Sequence, residues 1–173
     1  SMAVIRHFDA TSDERTAYLK MRRAVAGLAD DAESPDDEEA NANATIDPER
    51  YAEMSAHEDL ILTITENGAG KLSSSHDYPV RGRGGMGVGA QDKVARGGPI
   101  VAAFPVEMDD QIMLATSTGQ SIRCPVDGIS FRSRSAGGVK VFDTKGSEKV
   151  VSVARVADSS DDDVSEDGTN VTD

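Results

Sequence analysis

Residues 59–88 read DLILTITENGAGKLSSSHDYPVRGRGGMGV, and residues 110–139 read DQIMLATSTGQSIRCPVDGISFRSRSAGGV. At a shift of 51 the two overlay without a gap and agree at eight positions: Asp59/Asp110, Ile61/Ile112, Thr65/Thr116, Gly68/Gly119, Arg81/Arg132, Arg83/Arg134, Gly87/Gly138 and Val88/Val139. Apolar character is kept elsewhere, as in Leu62/Met113 and Val80/Phe131. With a one-residue deletion, Ile100–Val106 overlays Val150–Val156. Fixed-period self-similarity is the signature of a repeat architecture, in which each unit buries too little apolar surface alone and shares a core with its neighbour.

Each unit predicts about four strands. Leu60–Thr65, a turn at Glu66-Asn67-Gly68 and Gly70–Ser75 read as a hairpin. Val80 then leads into a glycine-rich turn at Gly82–Gly87, and Ile100–Val106 is a further strand. A period near ~50 residues with this content fits propeller-like blades. The predicted fold is therefore mainly β, with a blade repeat at 59–109 and a final blade repeat at 110–156. Ala3–Phe8 resembles the last strand of a unit and predicts the end of a preceding blade, with blades completed by a strand from an adjacent repeat.

Residues 10–58 predict a helical, acidic insertion between that strand and the first full repeat. Thr11 and Glu14 have capping-box spacing, and Tyr18, Met21, Val25 and Leu28 recur at helical spacing up to an end near Gly27. Asp47-Pro48-Glu49 starts a second helix, with Asp as cap and Pro at the first helical position. Residues 30–46 and 157–173 have the acidic, low-complexity composition of disordered segments.

The net charge of −13 argues against nucleic acid only until it is mapped. Residues 30–58 carry one basic and eleven acidic groups, and 157–173 carry seven acidic and none basic. Residues 59–156 carry twelve basic and ten acidic. The single Cys124 rules out an internal disulfide and suits a reducing cytoplasm. No apolar run approaches the ~18 residues of a membrane span. Ser1-Met2 reads as an expression remnant.

The basic residues cluster in the repeated turns. Arg81 and Arg83, then Arg132 and Arg134, stand in glycine-containing turns where side chains and freed backbone N–H groups can meet phosphate. Alternation along a strand also allows one arginine of each pair to pack along the blade instead. Lys71, Arg96, Arg123 and Lys140 are further phosphate candidates, each against an ordinary solvated surface residue. Gly82-Arg83-Gly84-Gly85-Met86-Gly87 matches a dinucleotide-binding pattern, but no helix pattern follows it. His7, His57 and His76 are scattered and form no metal cluster with one cysteine, and no nucleophile–base pair is visible.

Leu60–Lys71 and Asp110–Arg123, with the turns RGRGGMGV at 81–88 and RSRSAGGV at 132–139, resemble blades of the DNA gyrase A C-terminal domain family. The resemblance implies a β-pinwheel whose basic rim wraps double-stranded DNA for negative supercoiling, in a bacterial, cytoplasmic, nucleoid-associated enzyme. It implies no catalytic residue and no cofactor in this region; ATP and Mg2+ would be bound elsewhere in the parent. The implied partners are gyrase B and a second gyrase A in an A2B2 tetramer, with no membrane. The family's Gln-Arg-Arg-Gly-Gly-Lys-Gly box is absent: 81–87 keeps Arg83, Gly84, Gly85 and Gly87 of it, and 132–138 keeps Arg134 and Gly138. The related C-terminal domain of topoisomerase IV is the second family reading. An acidic tail that competes with DNA for the basic rim is one expectation for 157–173. The competing class is a protein-interaction module that docks a partner through Tyr18, Met21 and Val25.

Overall fold

The computed structural model describes residues 2–26, 44–91 and 97–156. The tail at 157–173 and all of the 30–46 segment except 44–46 lie outside the described residues, as do Arg96 and the predicted helix end near Gly27.

Among the described residues, seven strands form two antiparallel sheets: β1 (Leu60–Thr65), β2 (Ala69–Ser74), β3 (Ile100–Val106), β4 (Gln111–Thr116), β5 (Ser121–Pro125), β6 (Val139–Lys140) and β7 (Val150–Val156). The first sheet has the order β3-β1-β2-β6 and the second β5-β4-β7. The two share one plan. A hairpin (β1-β2 or β4-β5) takes the late strand of its own repeat beside its first strand. Gly68 closes the first hairpin at φ 78, a left-handed conformation that costs glycine little. A Cβ there would also lie 2.3 Å from the carbonyl oxygen of Phe142.

The sheets pack face to face on one shared core. Leu62, Ile64, Leu72 and Val106 of the first blade meet Ile112, Leu114, Val126, Ile129, Phe142 and Val150 of the second repeat. Burying each such side chain contributes about 1.5–3 kcal/mol, and neither sheet could do so alone.

Strand exchange between repeats is present, but the exchanged strand is not the one the sequence suggested. β6 belongs to the second repeat and pairs with β2 of the first, Val139 with Gly70 and Lys140 with Ala69. Upstream of it, Phe131 bridges Leu72 in parallel. The Leu72 N–H donates to the Ser130 carbonyl at 3.0 Å, and the Arg132 N–H donates to the Leu72 carbonyl at 2.8 Å. Ala3–Phe8, expected as a strand, is irregular. Both edges of β1 are taken by β2 and β3, and this stretch pairs with no strand of either sheet. It is held instead by Arg6, whose backbone N–H and Nε donate to the Asp59 carboxylate at 2.9 and 2.8 Å.

The insertion supplies two helices, α1 (Ser12–Val25) and α2 (Pro48–Ala56). The capping box of α1 forms as read: Glu14 N–H donates to Thr11 Oγ1, and Thr11 N–H donates to the Glu14 carboxylate at 2.8 Å. Those bonds, with Arg50 alongside, hold the Glu14 carboxyl below its usual range. Asp47 occupies the cap position of α2, but its side chain makes no capping bond. The helices enclose a small second core of Tyr18, Leu19 and Met54, with Phe8, Ala10, Ile46 and Tyr51 against it. Tyr18 is fully buried, so it serves this core and offers nothing to a partner protein; Met21 and Val25 remain exposed. Burial, reinforced by the nearby Glu58 charge, pushes the Tyr18 phenol up. The unit docks on the Ser75–Asp77 turn, where His76 Nε2 donates to the Met54 carbonyl at 2.9 Å and its ring meets Tyr18 edge-on. Arg22 pairs with Glu58 at 2.9 Å and lies over the Phe131 ring. No helix among the described residues is long and apolar enough to cross a membrane.

Candidate nucleic-acid interface

The two arginine turns occupy different environments. Residues 132–138 run along the outer edge of the first blade, held by a buried cation and a buried carboxylate. Lys71 is 0% exposed because it sits mid-strand in β2 on the face opposite Leu72. Its ammonium donates to the carbonyls of Ser133 at 2.7 Å, Arg134 and Ala136 at 2.7 Å. An ammonium has three protons, and three carbonyls accept them.

Arg134 is 2% exposed. Its N–H donates to the Asp77 carboxylate at 2.6 Å, its Nε to the Asp77 carbonyl at 2.7 Å, and its Nη1 to the Gly89 carbonyl. The Arg134 Nε and Asp77 Oδ1 also stand 3.7 Å apart as a buried ion pair. These contacts correct two of the phosphate assignments. Lys71 and Arg134 face the blade interior, where desolvation demands that every donor be matched and leaves none for a ligand. Arg132 is half-buried between them and the surface.

Arg81–Gly87 is exposed at every residue. Gly84 and Gly87 take φ of 82 and 77 there, left-handed conformations that cost glycine little. Arg81 and Arg83 therefore stand on a glycine-rich loop open to solvent. Arg123, on β5, and Lys140, on β6, are exposed as well; Lys140 pairs with Asp143 at 3.1 Å. The structure thus keeps Arg81, Arg83, Arg123 and Lys140 on the surface, and it does not gather all eight predicted residues into one patch.

Two cations outside that set make ion pairs, one between the repeats and one within the second. Lys149 Nζ donates to the Glu66 carboxylate at 3.2 Å and to the Asn67 side chain, linking β7 to the first hairpin turn. Arg155 Nε meets the Asp110 carboxylate at 2.6 Å. Lys145 is exposed beside them and was not singled out in the sequence. Its position between β6 and β7 carries no repeat signal, since Lys145 falls where the first unit has residue 95 or 94 at the two shifts. Among the described residues no group of three His, Cys, Asp or Glu could hold a metal ion.

The family model described as DNA gyrase C-terminal domain, beta-propeller, matches residues 59–107 and 110–157. DNA gyrase A of Granulibacter bethesdensis is 43% identical over 163 residues, covering 88% of this chain and 17% of that protein. DNA gyrase A of Rickettsia bellii is 39% identical over 162 residues, covering 94% of this chain and 18% of that protein. A solved DNA gyrase A C-terminal domain overlays with a TM-score of 0.52 at 26% identity, over 57% of this chain and 33% of that one. A topoisomerase IV C-terminal domain overlays at 0.52 and 25%, over 57% of this chain and 31% of its own. The chain spans less than a fifth of the length of these curated relatives.

Proposed function

Because the chain belongs to the DNA gyrase C-terminal domain family, we propose that it is a non-catalytic, DNA-binding part of a bacterial type II topoisomerase. The observation that carries the reading is the exposed Arg81–Gly87 loop, with two arginines on a glycine-rich backbone. Arg123 and Lys140 extend the set of exposed cations. Contacts of this kind neutralise phosphates and release counterions, so they bind duplex DNA with little regard to sequence; bendability supplies any preference.

In the parent enzyme this region helps to wrap DNA for negative supercoiling, beside gyrase B and a second gyrase A, in the cytoplasm and with the nucleoid. ATP and Mg2+ act elsewhere in that assembly, and no cofactor is needed here. The tail at 157–173 repels or competes with DNA through its seven acidic residues.

The test is binding of the intact chain to a mixed-sequence duplex across salt concentrations. Replacing both Arg81 and Arg83 by Ala is expected to shallow the slope of log K against log salt by roughly 2, at about 0.9 per phosphate contact. Replacing Arg134 leaves that slope unchanged in whatever fraction stays folded. A slope untouched by the double replacement sinks the assignment of the loop. Removing residues 157–173 is expected to tighten binding, and unchanged affinity would leave the tail with no such role.

A further inference from the structure

Arg134 makes two sets of bonds, one with its backbone and one with its side chain. The backbone seats the exchanged turn: its N–H donates to the Asp77 carboxylate at 2.6 Å, and its carbonyl accepts from the Lys71 ammonium. The guanidinium takes no part in either bond. It reaches on to two backbone carbonyls, with Nε donating to that of Asp77 at 2.7 Å and Nη1 to that of Gly89. Residues 77 and 89 flank the segment 78–88, which holds the whole exposed stretch Arg81–Gly87. One planar group from the second repeat thus joins the start and the end of the basic loop of the first.

Each foot of the loop has a further hold nearby. Upstream, Ser74 Oγ accepts from the His76 N–H at 3.2 Å, and Tyr78 Oη lies 3.2 Å from Ser73 Oγ. Downstream, Gln91 is buried and its Oε1 accepts from Thr63 Oγ1 at 3.1 Å. Helix α1 backs the tie: Ser12, Arg15 and Leu19 line a cavity of about 50 Å³ with Pro79 and Arg134. Shielded from water, the two guanidinium bonds are stronger than they would be on the surface. Between the feet the loop leans on little, since a Cβ built at Gly82, Gly84 or Gly87 meets no atom within 4 Å. Its placement therefore comes from its ends. A segment whose ends are drawn together has lost much of its freedom before a ligand arrives, and binding then costs less ordering entropy. Arginine suits the task because its fork aims several donors in fixed directions, whereas lysine is a point donor on a flexible stem.

We propose that Arg134 is a positioning residue for the Arg81–Gly87 loop: through its side chain, the seated turn of the second repeat fixes where the two arginines of the first repeat stand. One of the two repeated arginine turns presents the other. The effect on the loop rests on geometry alone; the effect on DNA rests on the reading of that loop as DNA-binding.

The test compares the intact chain with Arg134→Lys, which keeps a cation opposite Asp77 and the backbone bonds of the seat but lacks the fork. Trypsin cleavage after Arg81 and Arg83, resolved by mass spectrometry, is expected to quicken at least about threefold, because a loop freed at its feet more often takes the form a protease needs. Exchange of the Leu72 amide, which bonds the Ser130 carbonyl across the seat, is expected to match the unaltered chain. Unchanged cleavage overturns the proposal. Faster exchange at Leu72 overturns it too, since the side chain would then be holding the seat rather than the loop. On a mixed-sequence duplex, affinity should fall about three- to tenfold at fixed salt, with the slope of log K against log salt unchanged. A slope shallower by about 0.9 would mean that Arg134 meets a phosphate itself, and unchanged affinity would mean that the loop's placement does not serve DNA; either result ends the positioning role in binding. If neither form binds duplex, the DNA reading of the loop fails, and the cleavage rates alone decide whether Arg134 holds its feet.

Discussion

Arg81–Val88 and Arg132–Val139 share two arginines, a glycine and a valine at the same spacing, yet the first stands in solvent and the second is wedged against β2. The difference lies in what each turn meets. Arg134 meets Asp77 and the ammonium of Lys71 caps the carbonyls around it, whereas no atom lies within 4 Å of a Cβ built at Gly82, Gly84 or Gly87. A turn of this sequence is thus a plug when a blade edge carries Lys and Asp, and an open basic loop when no such edge is beside it. Composition alone does not distinguish the two.

The largest effect should come from removing the carboxylate that holds the plug. Asp77→Ala leaves the Arg134 guanidinium buried without its ion partner, and unfolding in urea is expected to show a loss of about 3–5 kcal/mol. The matching change in the open loop, Arg83→Ala, should stay within about 0.5 kcal/mol. Equal losses would erase the distinction between the turns.

Next in size is a test of fit. A Cβ at Gly138 would lie 2.8 Å from Gly70 N and 2.7 Å from Gln91 Nε2. Gly138→Ala should therefore cost about 1–3 kcal/mol through overpacking. Gly82→Ser, in the open loop, should be neutral, since the seated turn already carries Ser133 at that position. Thermal melts of the two variants would sharpen the comparison.

The smallest effect separates the blades by pH. Glu148 accepts from Thr118 at 2.5 Å, Thr116 at 2.7 Å and the Lys145 N–H at 3.2 Å, and these bonds hold its carboxyl below the ordinary value. A lowered folded-state pKa contributes stability that is present above the unfolded value and lost as pH falls through the folded one. The first blade has Gly98 at the equivalent place. Acidification from pH 7 to about 3 should therefore raise amide exchange first in the β4-β5 turn, and Glu148→Gln should remove the pH dependence of that turn. Equal acid response in the β1-β2 turn would refute it.

The blades were legible because hairpin, glycine turn and late strand return in order, so Leu60–Thr65, Ile100–Val106 and Val150–Val156 emerge with the bounds read from the sequence. Thr11 was legible because a capping box is a local pattern. The seat of the second turn was not. The Lys71 bonds reach across 62 to 65 residues of sequence, and no local pattern marks a lysine as a cap for distant carbonyls. Alternation was the one available hint: Lys71 pairs with Thr63 on the face opposite Leu72. For Ala3–Phe8, strand character was real but a strand also needs a partner, and sequence periodicity says nothing of which strand, if any, takes it up.

The exchanged strand also sets a clock on synthesis. β2 ends at Ser74, while the segment that covers its edge runs to Lys140, about 65 residues later in the chain. At the ~5–20 residues per second of translation, the first blade waits about 3–13 s with an unpaired edge and half of its core still unmade. During that interval Leu62, Ile64 and Leu72 have no opposing sheet. Nascent chains are vulnerable to association at such edges, so chaperone demand should peak before Lys140 leaves the ribosome and fall once it has.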